Sequence, residues 1–323
     1  MVNSLQSPRF CGIRSFMRMP VKYGVMNTDV IIMGIPFDSA TSYRPGARFG
    51  PAAVREASNI LKPYCPVLDV DISEHLSIID GGDIDTIPGY VEESLDAMCQ
   101  GLIPYMESPA IPILIGGDHL VSLGILRAMH AARGPVALVH FDAHSDTVGS
   151  YFGKPYNHGS PFYWAIKEGL IIPEYSTQIG IRGPLYSRTI LDWPKSQGLR
   201  IIMGQELHER GITHVAEEVV TRAGDKPVYV TFDIDFLDAS CAPGTGTPEI
   251  EGFTTWEALS LMRHICPRLD CVGMDLVEIL PDKDLSGITA LAGASVIHSF
   301  LASLAKRRSE EHTSELQSRT VIS

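Results

Sequence analysis

Three clusters of histidine and aspartate stand directly after apolar runs of the sequence, as GGDH at 116–119, DAHSD at 142–146 and DID at 233–235. Residues two apart in an extended segment point the same way, so the second cluster presents three polar side chains on one face and the third presents two. Carboxylates crowded in this way repel one another and shift each other's pKa values unless a cation lies between them. The spacing therefore predicts a metal site. The six candidate ligands are His119, Asp142, His144, Asp146, Asp233 and Asp235.

The donor types indicate which metal such a site would take. Carboxylate oxygens mixed with imidazoles suit manganese or another divalent first-row ion better than an ion that prefers thiolates. Four carboxylates and two imidazoles are too few donors to close two separate shells, so some carboxylates would bridge and positions would stay open for water. Each cluster alone has a plainer interpretation: GGDH as a tight turn or an anion-binding nest, and DAHSD as a loop with capping and turn-forming aspartates. The three clusters together favour the metal site.

Apolar, β-rich runs alternate with helical patterns over most of the chain, which indicates a parallel sheet covered by helices on both faces. We predict strands at residues 29–35, 76–80, 111–115, 136–141, 176–181, 200–203, 228–232 and 271–274. We predict helices at residues 51–61, 91–105, 120–132, 161–169, 187–197, 212–223, 254–265 and 288–306. The three clusters each follow a strand, and open parallel sheets bind ligands at the carboxyl ends of their strands. They can therefore converge on one point.

The chain of 323 residues shows no internal repeat and no Gly/Ser-rich linker, so we predict a single domain over residues 1–308. Residues 309–323 are polar and lack a helical stripe, and RSEEHTSELQS at 308–318 resembles the translated read-through of a sequencing-library adapter. We expect 309–323 to be non-native or disordered. We assign no functional role to its Glu310, Glu311, His312 and Glu315.

Composition limits the partners and the compartment. A formal net charge of −12 argues against a nucleic acid or an anionic membrane as partner. Residues 1–14 lack the apolar core of a secretory signal, and no apolar run reaches the roughly 18 residues that span a bilayer. The 6 cysteines are scattered without a CxxC pair, which suits reduced thiols better than a disulfide framework. We therefore expect a cytoplasmic protein without a membrane or nucleic-acid partner.

GGDH, FDAHSD and FDIDFLDASCAPGTGTPEIEG resemble the three signature motifs of the ureohydrolase (arginase/agmatinase) family. The resemblance covers about residues 8–306, includes SYRPGARFGP at 42–51, and is close to the agmatinase branch, which also contains guanidinobutyrase and proclavaminate amidinohydrolase. It implies an arginase-like α/β fold, a three-layer αβα sandwich with an eight-stranded parallel sheet, and two Mn²⁺ ions per chain. By this resemblance one ion is bound by His119, Asp142, Asp146 and Asp233, and the other by His144, Asp142, Asp233 and Asp235. Asp142 and Asp233 would then bridge the two ions.

The resemblance also implies three catalytic residues. NHGSPF at 157–162 is similar to the family's substrate loop, which makes His158 a proton donor or shuttle near the leaving amine. Glu278 matches the glutamate that anchors the guanidinium, a task that suits a carboxylate because it can pair bidentately with planar N–H donors. Asp146 would help to hold the guanidinium and to relay a proton.

Four residues depart from the family's usual pattern. Leu120 stands where Ser or Thr is usual, and Ala239 where Pro is usual; Glu251 and Phe253 stand where Gly and Leu are usual. None of them removes a predicted ligand. We expect them to affect the rate and the shape of the pocket rather than the chemistry.

The predicted activity is hydrolysis of a guanidinium group to urea and an amine, by a water molecule whose pKa the two metal ions lower. The likeness over the whole chain points to agmatine, hence to putrescine as product and to polyamine metabolism. Lys154 and Arg182 point instead to a guanidino acid, because they lie in the loops 148–156 and 182–186 that we expect to line the pocket mouth without any carboxylate.

Several alternatives stay open at this point. They are a guanidinobutyrase or another guanidino-acid hydrolase, including one like proclavaminate amidinohydrolase, a formiminoglutamase-like enzyme, and a non-catalytic metal-binding homologue. The family's usual assembly implies a homo-oligomer, either a trimer or a hexamer.

Overall fold

The structure, a computed structural model, describes residues 2, 5–24 and 27–321, with side chains up to residue 311. The strands of this part are β1 (Val30–Gly34), β2 (Tyr64–Cys65), β3 (Val70–Asp71), β4 (Ile78–Asp83), β5 (Ile111–Ile115), β6 (Ala137–Phe141), β7 (Thr177–Ile181), β8 (Arg200–Met203), β9 (Pro227–Asp233) and β10 (Asp270–Val277). Its α-helices are α1 (Gly50–Ser58), α2 (Ile72–His75), α3 (Val91–Met106), α4 (Val121–Arg133), α5 (Pro161–Lys167), α6 (Thr189–Ser196), α7 (Gly204–Arg210), α8 (Ile212–Ala223), α9 (Thr255–Ile265) and α10 (Ile288–Val321).

Eight strands form one sheet in the order β4-β1-β5-β10-β9-β6-β7-β8, in which every neighbouring pair is parallel. Successive side chains of a strand point to opposite faces and pack into two apolar layers. In β9, Val228 and Val230 pack into the first layer and Tyr229 into the second. Helices α1, α8, α9 and α10 cover the first layer, and α3, α4 and α5 cover the second. The predicted three-layer αβα sandwich on an eight-stranded parallel sheet is confirmed.

The eight predicted strands and eight predicted helices all occur, and most of their ends differ from the predicted ones by only a few residues. The structure adds the antiparallel pair β2/β3 and the short helices α2 and α7. These elements span too few residues to show a hydrophobic period, which is why the sequence did not predict them. The end of α7 does carry a recognisable signal, since Gly211 follows it with a φ of +77°, which glycine adopts at no steric cost.

The order of the strands decides which loops meet. Strands β5, β10, β9 and β6 are adjacent at the centre of the sheet, and parallel strands end at the same edge. GGDH follows β5, DAHSD follows β6, DID begins at the last residue of β9, and Glu278 follows β10. Four segments that are far apart in sequence therefore lie side by side.

Helix α10 differs most from expectation, because the helix predicted to end at residue 306 continues to Val321. Its part Ile288–Glu311 is long and apolar enough to cross a membrane by composition, but 78% of the apolar stretch is buried inside the protein. It packs against α1 and α9. Its apolar side chains therefore pack in the first apolar layer of the protein. The domain boundary at residue 308 stays a prediction.

Removal of residues 309–323 should leave the melting temperature and the turnover unchanged. The core side chains of α10 end at Ala305, and the next contacts include the exposed ion pairs Lys306–Glu310 and Arg307–Glu311. Such i,i+4 pairs contribute only about 0.3–0.5 kcal/mol each. Thermal unfolding of the truncated and full chains checks this. A fall of more than about 4 °C, which corresponds to roughly 1 kcal/mol in a large domain, would show that the segment docks on the fold.

Candidate metal centre

The first group of predicted ligands surrounds the imidazole of His119, in the turn between β5 and α4. Its Nδ1 lies 3.1 Å from Asp142 Oδ2 and 3.0 Å from Asp146 Oδ2. The same nitrogen lies 3.1 Å from Asp233 Oδ2. It is buried, and among the described residues it has no hydrogen-bond partner of good geometry. One nitrogen and three carboxylate oxygens that converge without hydrogen bonding are arranged as donors around a cation.

The second group centres on His144. Its Nδ1 lies 3.1 Å from Asp235 Oδ2 and 3.5 Å from Asp142 Oδ1. Asp142 thus turns one oxygen to each group, which is the arrangement expected of a bridging ligand. The other predicted bridge, Asp233, instead uses Oδ1 to accept the N–H of Asp235 at 2.9 Å, so its bridging role stays a prediction. The structure brings all six predicted ligands together at the edge of the sheet.

The charge of this cluster tests whether a metal fits it. Burial raises the pKa of Asp235 to about 6 and the pKa of Asp233 well above its ordinary value, and nearby carboxylates add to both shifts. At Asp142 burial acts in the same direction, but the surrounding imidazoles, His140 first, outweigh it and hold the pKa well below the ordinary range. Buried carboxylates that resist ionisation beside one another are relieved by a divalent cation. The donor set fits such an ion.

Glu278 brings a further carboxylate to the site from the end of β10. Its Oε1 accepts the backbone N–H of His119 at 2.9 Å and lies 2.9 Å from His158 Nδ1. Its Oε2 is buried and has no partner among the described residues. Gly246 lies opposite, where a Cβ would come within 3.2 Å of Oε2. Only one oxygen of the predicted bidentate anchor is therefore free to receive a ligand.

The imidazole of His158 is held at both nitrogens. Nδ1 faces Glu278, whereas Nε2 lies 2.6 Å from Ser42 Oγ and accepts the Ser42 backbone N–H at 3.1 Å. Burial lowers the pKa of His158, but the Glu278 carboxylate outweighs burial and raises the pKa to about 9. The Ser42 N–H opposes the charged form, because a backbone N–H can only donate. The Glu278 carboxylate thus favours the protonated ring and the Ser42 N–H favours the neutral ring. Such opposing contacts suit a group that gains and loses a proton.

A cavity of about 680 Å³ opens above these residues. His144, Asp146, Asp233 and Glu278 line it, and part of its wall comes from the predicted mouth loops 148–156 and 182–186. Together with His158, the remaining charged side chains of its wall are Arg44 and Glu249.

The two cations predicted at the mouth of the pocket lie elsewhere, so that prediction was wrong. Arg182 turns inward and donates to the carbonyl oxygens of Asp235 at 2.7 Å and Ile250 at 3.0 Å. Lys154 lines a separate cavity of about 420 Å³. The two predicted mouth loops do contain no carboxylate, but Glu249 of the third motif also belongs to the wall. The polar carbonyls of the third motif account for the inward turn of Arg182, which a sequence pattern does not reveal.

Among the departures from the family's pattern, Glu251 has a visible effect on the backbone. Its φ is +59°, in the left-handed region that glycine adopts freely and other residues adopt at a cost. Gly252 beside it is required, since a Cβ there would lie 2.5 Å from the Asp238 backbone nitrogen. Leu120 is fully buried in the second apolar layer. Nothing in the structure explains Ala239.

The sequence patterns missed a set of buried polar residues that do not line the cavity and that contact the predicted ligands, the loops that carry them or one another. These residues are Asp118, His140, Gln178, Thr231 and Asp275. His140 Nε2 lies 2.7 Å from Asp142 Oδ2, and Gln178 Nε2 donates to His140 Nδ1 at 3.0 Å. His140 stands two residues before Asp142, so the same period of two that revealed the second cluster could have identified it. Asp118 accepts the backbone N–H of Ala40 at 2.9 Å and ties two loops of the site together.

The fold and the site define an α/β enzyme with a His/Asp metal site at the carboxyl edge of its sheet. The sequence profile described as the arginase family matches residues 28–303, and the chain belongs to the arginase family, a family of metal-dependent hydrolases. This confirms the family predicted from the three motifs.

Relatives with named activities refine this assignment. Guanidinopropionase from Pseudomonas aeruginosa is 40% identical over 307 residues, which cover 94% of this chain and 96% of that protein. Agmatinase from Salmonella paratyphi B is 39% identical over 312 residues, which cover 95% of this chain and 97% of that protein. The solved structure of proclavaminate amidinohydrolase from Streptomyces clavuligerus has a TM-score of 0.89 at 37% identity, covering 93% of this chain and 100% of that one. The protein is an agmatinase-like ureohydrolase.

Asp233→Ala should lower the bound manganese well below two ions per chain, because Asp233 supplies an oxygen to the first group and is predicted to bridge both. Asp238→Ala is the matched control, since its carboxylate accepts the N–H groups of Ser240 and Gly252 in a turn. It should keep both ions. Metal analysis after equilibration with Mn²⁺ checks this, and the reverse pattern would show that the ligand assignment is wrong.

Glu251→Gly should raise the free energy of unfolding by about 1 kcal/mol, because it removes the cost of a left-handed conformation at an exposed position. Gly252→Ala should have the opposite effect at the neighbouring position, where no Cβ fits. Urea denaturation of both variants provides the measurement. A lower stability of Glu251→Gly would mean that the glutamate side chain contributes more than its backbone conformation costs.

Proposed function

We propose that the protein is a dinuclear manganese hydrolase that splits a small guanidino compound into urea and an amine, with agmatine as its preferred substrate. One observation carries this proposal: Glu278 lines the same cavity as residues of both ligand groups, and its buried Oε2 has no partner among the described residues. A buried carboxylate oxygen without a donor is costly, and a guanidinium offers planar N–H donors of the opposite charge. The ligand that fits this oxygen is therefore a cation with N–H groups.

The donor set supports manganese, because it mixes imidazole nitrogen with carboxylate oxygen. The residues that would hold the two ions are His119, Asp142, Asp146 and Asp233 for one and His144, Asp142, Asp233 and Asp235 for the other. When bound, the ions would lower the pKa of a water molecule so that it can serve as the nucleophile. The chain's own residues orient the substrate and handle the protons.

Three residues divide the remaining work. Glu278 Oε2 accepts from the guanidinium and fixes its plane, while Oε1 stays bonded to the backbone of His119. Asp146 lines the cavity and can hold the guanidinium from the side of the first group. The departing amine nitrogen needs a proton, and His158 lies in the cavity wall where it can supply one.

All candidate substrates share the guanidinium, so the far end of the substrate decides among them. Glu249 lies in the cavity wall, 3.8 Å from His144 Nε2, and offers a partner for the ammonium of agmatine. Arg44 is the cation of the wall, but its guanidinium stacks on the ring of Tyr43, 4.9 Å from the centroid. The net charge of −12 also favours the approach of a cation. These observations support agmatine.

A guanidino acid is the second candidate. Arg44 could pair with a substrate carboxylate if it left the Tyr43 ring, and the similar guanidinopropionase takes its name from such a compound. A cytoplasmic location, a role in polyamine metabolism and assembly as a trimer or hexamer stay predictions made from the sequence.

Urea release from agmatine, 4-guanidinobutyrate, 3-guanidinopropionate and arginine tests the proposal. Agmatine should give the highest kcat/KM. Glu249→Gln should lower kcat/KM for agmatine about tenfold, which corresponds to roughly 1.4 kcal/mol, because the ammonium loses its partner. Arg44→Gln is the opposite charge change in the same wall, and it should lower kcat/KM for the two guanidino acids instead.

The outcomes separate the parts of this proposal. A tenfold preference for any guanidino acid would overturn agmatine and leave the ureohydrolase intact. Release of formamide from a formimino compound, with no urea from the four guanidino compounds, would favour the formiminoglutamase-like alternative. The chelated protein is the control: it should release no urea, and Mn²⁺ should restore activity better than Mg²⁺. Full activity of the metal-free protein would overturn the two-metal chemistry.

A further inference from the structure

His119 is linked through its second ring nitrogen to a chain of hydrogen bonds inside the sheet. Its Nε2 lies 2.9 Å from Thr231 Oγ1, and Thr231 Oγ1 lies 2.5 Å from Asp275 Oδ1. Thr231 in β9 and Asp275 in β10 are directly opposite each other in the register of the two strands. All three side chains are completely buried. This chain of contacts reaches away from the cavity, so it cannot touch a substrate.

The direction of each hydrogen bond follows from the groups involved. A carboxylate accepts and a hydroxyl has one proton, so Thr231 donates to Asp275 and must accept the Nε2–H of His119. The proton of the neutral ring is thereby fixed on Nε2. Nδ1 keeps its lone pair, and it is the atom that lies 3.0 Å and 3.1 Å from the carboxylate oxygens of the first group.

Asp275 is itself held in place. Its Oδ2 accepts hydrogen bonds from the hydroxyl groups of Ser122 at 2.7 Å and Tyr229 at 3.0 Å. Three hydroxyl groups on two oxygens leave the carboxylate little freedom to rotate or to change partner. Thr231 therefore has a fixed acceptor for its proton.

The second group has no comparable support among the described residues. The side chain of His144 is 30% exposed, and its Nε2 lies 3.8 Å from Glu249, beyond hydrogen-bond distance. A change in the Thr231 chain should therefore affect one metal position and not the other.

We propose that Thr231 and Asp275 are positioning residues that set the metal affinity of the first group by holding the ring proton of His119 on Nε2. This inference rests on the metal centre of the proposed function. Without the Thr231 hydroxyl, the ring can place its proton on Nδ1, the atom that must be unprotonated to bind a metal. Loss of such a partner behind a metal-binding histidine typically lowers affinity about 10–100-fold.

The test is a titration of the chelated full-length protein with Mn²⁺, followed by the electron paramagnetic resonance signal of free Mn²⁺. Thr231→Val removes the hydroxyl and keeps the shape, and it should weaken one of the two sites about 10–100-fold. Thr231→Ser should restore it. Thr177→Val is the matched control, because Thr177 is also a buried strand threonine and its hydroxyl has no partner among the described residues. It should bind two ions like the unaltered protein.

The melting temperature of the metal-free protein shows whether Thr231→Val folds. If it does not fold, Asp275→Asn serves as the second test variant. An amide donor toward Thr231 would reverse the hydroxyl and place the ring proton on Nδ1, so this variant should weaken the same single site. Unaltered affinity of Thr231→Val, or of Asp275→Asn where only that variant folds, would overturn the inference. Equal weakening by Thr177→Val would also overturn it. If the unaltered protein bound no Mn²⁺, the proposed metal centre itself would fail first.

Discussion

The structure depends on one electrostatic constraint: four carboxylates must lie together at the edge of a sheet that is buried on both faces. Two like charges 4 Å apart repel by about 4 kcal/mol at an effective dielectric constant of about 20. The apolar layers of the sandwich cannot offset this repulsion. A cation between the carboxylates and hydrogen bonds behind them are the available means of offsetting it, and both shape the site. The raised pKa values of Asp233 and Asp235 are the direct expression of that constraint.

The hydrogen bonds behind the site follow a common plan, in which an imidazole turns one nitrogen to the cluster and has the other held by a neighbouring element. His119 is held by Thr231 of β9, and His140 by Gln178 of β7. His158 is held by Ser42 of the loop after β1. Each partner decides which ring nitrogen carries the proton, and hence whether the nitrogen at the cluster can act as a donor or as an acceptor. The chemistry of the site is thus set partly by residues such as Thr231 and Gln178, which do not line the cavity.

The sequence predicted the fold and the convergence of the six candidate ligands because both follow simple periods. Asp142, His144 and Asp146 alternate in an extended segment directly after a strand, and the pattern alone placed them on one face. The structure brings these residues together with the other candidate ligands because strand order, not loop detail, decides which segments meet.

The residues that the sequence did not reveal have a different physical origin. A threonine is common in buried strands, so Thr231 gave no signal in the sequence. Asp275 contacts Thr231 only because β9 and β10 are neighbours in a fixed register. Arg182 was expected at the pocket mouth, but the carbonyl oxygens of Ile250 and Asp235 hold it inside. The sequence also did not predict the length of α10. Its last turns have no apolar face that a sequence pattern could reveal, and they extend a helix that is already formed.

The choice of substrate depends on the loops of the cavity rather than on the ends of the central strands. In the proposed function the ends of the central strands would hold the guanidinium, for which Glu278 leaves one oxygen without a partner among the described residues. The far half of the cavity is built by loops, where Glu249 and Arg44 offer opposite charges. Relatives of nearly equal identity, 40% and 39%, carry the names of enzymes for a guanidino acid and for agmatine. Overall identity therefore cannot choose the substrate. In the proposed function the decision rests on which of the two charged side chains meets the far end of the substrate, and the stacking of Arg44 on Tyr43 favours Glu249.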